Sequence, residues 1–175
     1  MKAALIALVL GVSSSALSLA ALPSRAQQTS QETGQPPRLE APAPETQLHF
    51  NAEAGVAING TDVVAYFRQG RPTPGIPEFA YEWQGSRWLF ASAENRDLFI
   101  GDPLRFAPQF GGYCAYAVSQ GYTAPIDPNA WSIVDGKLYL NLSPQVQRIW
   151  DRDRPGFIAS ANRNWGGILQ GLLKQ

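Results

Sequence analysis

This chain of 175 residues carries one cysteine and one histidine. Cys114 lies in Phe110-Gly111-Gly112-Tyr113-Cys114-Ala115-Tyr116-Ala117-Val118-Ser119, between a glycine pair and two tyrosines. A thiolate suits Cu(I), which accepts two or three ligands, whereas a structural Zn(II) site takes four. Cys114 with His49 is therefore a candidate copper pair, and a zinc site would need carboxylates as well. Three other fates stay open for the sulfur. It packs as a small buried hydrophobe, the common fate of a free cysteine. It bridges a homodimer as an intermolecular disulfide. Or it acts as a redox thiol. Metal ligation ranks above the redox role, because no Cys-x-x-Cys occurs and no Lys, Arg or His adjoins Cys114. His49 reaches the sulfur only if residues 48–52 fold over the 111–116 loop; otherwise it is a solvated residue at the end of a linker.

The remaining candidates form a looser set. Asp62 precedes an apolar run, and Asp127 sits in Pro125-Ile126-Asp127-Pro128. Each is an oxygen ligand or general base on one reading, and a side-chain turn to nearby backbone N–H groups on the other. Tyr66, Tyr113, Tyr116 and Tyr139 are either core tyrosines with satisfied hydroxyls or the wall of an amphipathic pocket around the cysteine. Gly111-Gly112 permits a tight turn or a close backbone approach. With no basic residue following, the turn outranks an anion cradle.

Other chemistries are poorly supplied. A Ser-His-Asp or Cys-His arrangement has only His49 to draw on. Neither a phosphate-binding loop nor a dinucleotide fingerprint is present. The expectation is a binding protein and not an enzyme. Lys plus Arg equals Asp plus Glu at 14 each, and Lys2 and Arg25 fall in the leader, so the rest is slightly acidic. That balance lacks the basic footprint of a nucleic-acid binder, and no basic amphipathic helix suggests a membrane surface.

The elements that must position these residues read as an α+β domain with antiparallel strands. Val63-Val64-Ala65-Tyr66-Phe67 reads as a short buried strand. Residues 68–77, with three prolines and two glycines, form a loop. Phe79–Trp83 and Arg87–Phe90 flank Gln84-Gly85-Ser86 as a hairpin, with Trp83 and Trp88 covering the sheet. Ser92 caps a helix in which Leu98 and Phe99 face inward. Gly101-Asp102-Pro103 ends it and opens another turn. Residues 113–119 favour a short helix over a strand. Trp131–Val134 and Lys137–Asn141 flank Asp135-Gly136, the type I′ hairpin signature. Ser143 caps a helix with Pro144 in its first position, and Val146, Ile149 and Trp150 mark its buried stripe. A last helix, residues 154–173, is broken near Gly166-Gly167. No internal repeat is legible, and no βαβ alternation suggests a doubly wound fold.

The ends bracket this domain. Residues 1–26 read as a signal peptide: Lys2, an apolar run from Ala3 to Leu10, and Ser24-Arg25-Ala26 ahead of cleavage. An uncleaved anchor is the alternative, disfavoured by four serines in the segment. Residues 27–48 read as a disordered Pro/Gln-rich linker, and 49–175 as one small domain large enough for a single core. The expected location is periplasmic or secreted.

Four blocks in order resemble the exported YHS-domain proteins of bacteria. They are Gly60-Thr61-Asp62-Val63-Val64-Ala65-Tyr66-Phe67, Ala91-Ser92-Ala93-Glu94-Asn95, Gly111-Gly112-Tyr113-Cys114-Ala115-Tyr116 and Ile133-Val134-Asp135-Gly136-Lys137-Leu138-Tyr139-Leu140-Asn141. The resemblance implies a treble-clef-like knuckle and a metal-handling role, with copper the usual metal and Cys114 at the ligand position. The chain departs from the pattern in three respects: it lacks a Tyr-His-Ser tripeptide, His49 lies outside the blocks, and Thr61 stands where many exported members carry an aromatic. The alternative function is a small-ligand or protein-interaction module with an aromatic pocket around Tyr113 and Tyr116.

Overall fold

The computed structural model describes residues 48–175, which fall in one compact unit. The expected signal peptide and all but the last residue of the expected linker lie outside the described residues. That last residue, Leu48, already packs against the core.

The fold is α+β, with small antiparallel pairings and several short helices. Strands β1 (Ala52–Glu53) and β2 (Val56–Ala57) pair antiparallel, and a left-handed turn at Ile58–Gly60 follows. Helix α1 spans Val63–Gln69. The hairpin of β3 (Ile76–Trp83) and β4 (Ser86–Phe90) then leads to α2 (Ala93–Gly101) and α3 (Pro103–Phe106). A second left-handed turn, Phe110–Gly112, precedes α4 (Ala115–Ser119). The hairpin of β5 (Asp127–Val134) and β6 (Lys137–Asn141) leads to α5 (Pro144–Trp150) and α6 (Arg154–Leu172). One sheet has the order β1-β2-β4-β3, with β2 parallel to β4, and the other is the pair β5-β6.

This order contains a repeat that the sequence reading missed. Each half runs left-handed turn, helix, hairpin, capped helix. The turns Ile58-Asn59-Gly60 and Phe110-Gly111-Gly112 hold three successive residues at positive φ. Each closes with the same bond, Thr61 N to Ile58 O at 3.0 Å and Tyr113 N to Phe110 O at 3.1 Å. The next residue donates its N–H across a loop in both halves, Asp62 to Thr73 O at 2.9 Å and Cys114 to Ala124 O at 3.0 Å. The hairpins have strands of 8 and 5 residues in both halves. They share a register shift after the first bridged pair, Ile76 with Phe90 and Asp127 with Asn141. Both turns, Gln84-Gly85 and Asp135-Gly136, have positive φ throughout, and Ser92 and Ser143 cap the helices that follow. The repeat is invisible in the sequence because few matched positions share a residue. Those that do include Gly60 with Gly112, Pro77 with Pro128, Gly85 with Gly136, Leu89 with Leu140 and Ser92 with Ser143.

Four further expectations are corrected. Val63–Phe67 is helical, not a strand: the Asp62 carboxylate accepts from Val64 N at 2.9 Å and Ala65 N at 3.2 Å, which starts a helix. Five apolar residues carry no period that separates a buried helix from a buried strand. Helix α6 runs unbroken through Gly166-Gly167, because Trp165 and Ile168 pack on the second core cluster from either side of the pair. Ile149 is 39 % exposed, while Trp150 is wholly buried. The first hairpin begins at Ile76 and its turn is two residues, Gln84 and Gly85.

The core has two centres. Phe50, Trp88, Phe90, Phe99 and Phe106 gather in the first half, with ring pairs such as Phe50–Trp88 at 4.9 Å edge to face. Phe110, Tyr139, Trp150 and Ala161 gather in the second, beneath α6. Ala161 of α6 shares this cluster with Ala115 and Val118 of α4. Asn164 Nδ2 then caps the end of α4 on the carbonyls of Val118 and Ser119, each at 3.0 Å.

Candidate functional site

The Phe110–Gly112 turn positions both soft donors. Asn51 N donates to Gly111 O at 2.7 Å, so residues 49–51 do lie across the glycine pair. A Cβ on Gly111 would strike the His49 carbonyl, and one on Gly112 would strike Ile58 Cδ1. The double glycine therefore serves a close chain approach as well as a turn.

His49 Nε2 lies 2.9 Å from the Tyr113 hydroxyl, and the two rings are within 10° of parallel. Trp165 packs on Tyr113 and on Phe110. His49, Phe110 and Trp165 then line a cleft of about 170 Å³, closed by Leu48, Leu104, Pro108 and Gly111. Burial pushes the Tyr113 hydroxyl above its ordinary pKa, so it stays neutral.

Cys114 turns the other way. The residue is 1 % exposed, and its sulfur lies 3.7 Å from Asn141 Oδ1, to which the thiol donates. The same oxygen accepts from Tyr116 N at 3.2 Å. Asn141 is wholly buried, and its Nδ2 has no hydrogen-bond partner among the described residues. The ring of Tyr116 packs edge to face on Phe157 of α6, away from the His49 cleft.

The structure thus separates the predicted residues. His49 and Tyr113 come together. Cys114 and Tyr116 meet through Asn141. Asp62 stands alone, with its carboxylate accepting four N–H groups: Val64 N, Ala65 N, Ala91 N at 2.9 Å and Asn95 Nδ2 at 2.7 Å. Asp127 accepts from Asn129 N and Nδ2 in a side-chain turn. Tyr66 donates to Pro128 O at 2.9 Å. Burial raises the Tyr66 pKa far above its usual value; a hydrogen bond with Thr61 offsets part of the rise, and the charge of Asp127 adds a smaller increase. Tyr139 is pushed up by burial and by Asp135.

A copper ion does not fit the donors as they stand. The thiol is engaged by Asn141 and the imidazole by Tyr113. No group of three or more His, Cys, Asp or Glu among the described residues is placed to share a metal. A disulfide between two copies would require the sulfur of a residue that is 1 % exposed to reach the surface.

Sequence reasoning missed Asn141 and Trp165. Asn141 ends a strand whose inward residues are apolar, and a buried amide among them is itself a signal of a polar partner. Trp165 carries no such signal, since only the packing of α6 brings it to the cleft.

Comparison with family models, curated proteins and solved structures finds no match for this chain.

Proposed function

We propose that the chain is an exported binding module whose recognition site is the cleft beside the His49–Tyr113 pair. The observation that carries this is the stacked, hydrogen-bonded imidazole–phenol pair standing with Trp165 at the cleft. One wall is aromatic, and His49 offers a polar ring edge. The volume, about 170 Å³, lies below the roughly 300–1,000 Å³ of drug-sized sites. It suits a single ring or one side chain of a partner, not a large cofactor. The leader pattern of residues 1–26 supports export.

The test is ligand-observed NMR with indole and benzoate as ring probes. Saturation transfer from the protein that disappears in Trp165→Ala and weakens in Tyr113→Phe supports the reading. Equal signals in all three proteins overturn it.

A second reading keeps soft-metal handling, in line with the resemblance to exported YHS-domain proteins. One observation favours it. The His49 segment is laid over Gly111-Gly112, so the sole histidine and sole cysteine lie on neighbouring pieces of chain. Binding of Cu(I) would have to release the Tyr113 and Asn141 hydrogen bonds. Cu(I) competition with a chelator decides it: equal affinity in wild type and Cys114→Ser removes this reading.

A further inference from the structure

Leu104 is the most exposed large apolar residue among those described, at 68 %. It stands on α3 and is itself one of the residues that line the His49–Trp165 cleft. The repeat shows that the fold does not require a leucine there. Asp102 caps α3 by accepting from Arg105 N at 3.3 Å, as Asp153 caps α6 by accepting from Gly156 N at 3.0 Å. Counted from these caps, Phe106 matches Phe157, and both pack in the core clusters. Leu104 matches Pro155 and belongs to neither cluster. A lone exposed leucine needs no explanation, but one at the rim of an aromatic cleft extends that cleft into a larger apolar patch. Two charges flank it. Asp102 and Arg105 are both exposed, and neither joins an ion pair among the described residues. The Asp102 carboxylate is turned onto its helix, and the Arg105 guanidinium lies 5.5 Å from the centre of the Phe106 ring.

We propose that the cleft receives Leu104 of a second copy, so that two chains pair about a two-fold axis with each leucine in the other's cleft. This rests on the reading of the cleft as the recognition site and names a partner for it. Three observations favour a second copy over another occupant. The cleft volume, about 170 Å³, suits one side chain. Knob and hollow lie on one patch, as a two-fold contact requires, because such a patch must be its own complement. The charges beside Leu104 are opposite in sign and lie on either side of it in the chain. Two α3 helices facing each other antiparallel across Leu104 therefore set Asp102 of one copy against Arg105 of the other, twice. The patch is small, so the dimer is weak and concentration-dependent. Ligand and partner then compete: a ring in the cleft excludes the leucine and releases monomers.

The experiment is sedimentation equilibrium of the purified protein from about 1 μM to 1 mM. The expected result is a reversible monomer–dimer equilibrium that indole shifts towards monomer. Leu104→Ser, at an exposed position that leaves the core intact, should raise the dimer dissociation constant at least about tenfold. Asp102→Asn keeps a capping oxygen while removing the charge. It and Arg105→Gln should each weaken the dimer, and the double variant should weaken it no more than either alone, because each removes the same ion pair. A protein that stays monomeric at 1 mM, a dimer unchanged by Leu104→Ser, or charge-variant losses that add would each overturn the proposal. Saturation transfer to indole separates this inference from the reading beneath it. Indole signal from a wild type that never dimerises overturns the pairing and keeps the cleft as a recognition site. A Leu104-dependent dimer that gives no indole signal at any concentration supports the pairing and removes the ring-binding reading.

Discussion

Asp62 and Cys114 occupy matching positions in the two halves of the fold, each following a left-handed turn, donating its N–H across a loop and opening a helix. Only the first has a side chain that can cap. The helix after Cys114 borrows its acceptor from Asn141 on β6. One backbone plan thus holds two different chemistries, a saturated carboxylate and a thiol beside an unsatisfied amide.

The saturated carboxylate is the more costly to lose. Asp62→Ala strips acceptors from four N–H groups, among them the buried Asn95 amide, and removes the α1 cap. The expected loss is about 3 kcal/mol or more. Cys114→Ala removes one weak donor and a small volume, for about 1 kcal/mol. Urea unfolding of both variants checks the order, and a Cys114→Ala loss equal to that of Asp62→Ala contradicts it.

Gly111 separates two costs that are often confounded. Its φ of +59° and the His49 carbonyl beside it both oppose a side chain. Gly70 has φ +64° and open space around it. Gly70→Ala should therefore lose only the backbone term, about 1 kcal/mol. Gly111→Ala should lose about 2–4 kcal/mol, because the 49–51 segment must also move. Amide exchange at Asn51, whose N–H bonds Gly111 O, should speed up in Gly111→Ala alone.

The parts of this fold legible in the sequence are those written by local chemistry. Asp135-Gly136 demands positive φ and so marks its hairpin, while Ser92 and Ser143 mark helix starts by their capping oxygens. Val63–Phe67 was not legible, since its helix depends on a buried acid engaging groups from β4 and α2. The site was half legible. The glycine pair permitted a close backbone approach without naming what approaches, and nothing in the spacing says that the imidazole meets Tyr113 while the thiol meets Asn141. Asn141 comes from β6, and His49 reaches Tyr113 from a segment 64 residues away; both are placed by core packing.

The Ser caps give a paired test of the repeat. Ser92 Oγ accepts from Asn95 N and Ser143 Oγ from Val146 N, both at 3.2 Å. Ser92→Ala and Ser143→Ala should each cost about 1 kcal/mol, and the double variant should lose the sum, because the two caps share no partner. A large coupling energy in the double-mutant cycle would contradict their independence.

Alkaline pH should destabilise the protein through its tyrosines. Tyr66, Tyr113 and Tyr139 all have pKa values raised by burial above the ordinary value near 10. Below that value both folded and unfolded tyrosines keep their protons, and the buried rings contribute no pH dependence. Above it the unfolded chain ionises first, so it binds fewer protons than the native state and stability falls as pH rises. Tyr66 should dominate, being buried and facing the Asp127 charge. Tyr66→Phe loses the bond to Pro128 O and should be about 1 kcal/mol less stable at neutral pH. Its stability should then fall more gently than that of wild type above pH 10, so the two curves converge. Urea midpoints from neutral to strongly alkaline pH read this directly, and parallel curves would show that Tyr66 is not the group whose ionisation is coupled to unfolding.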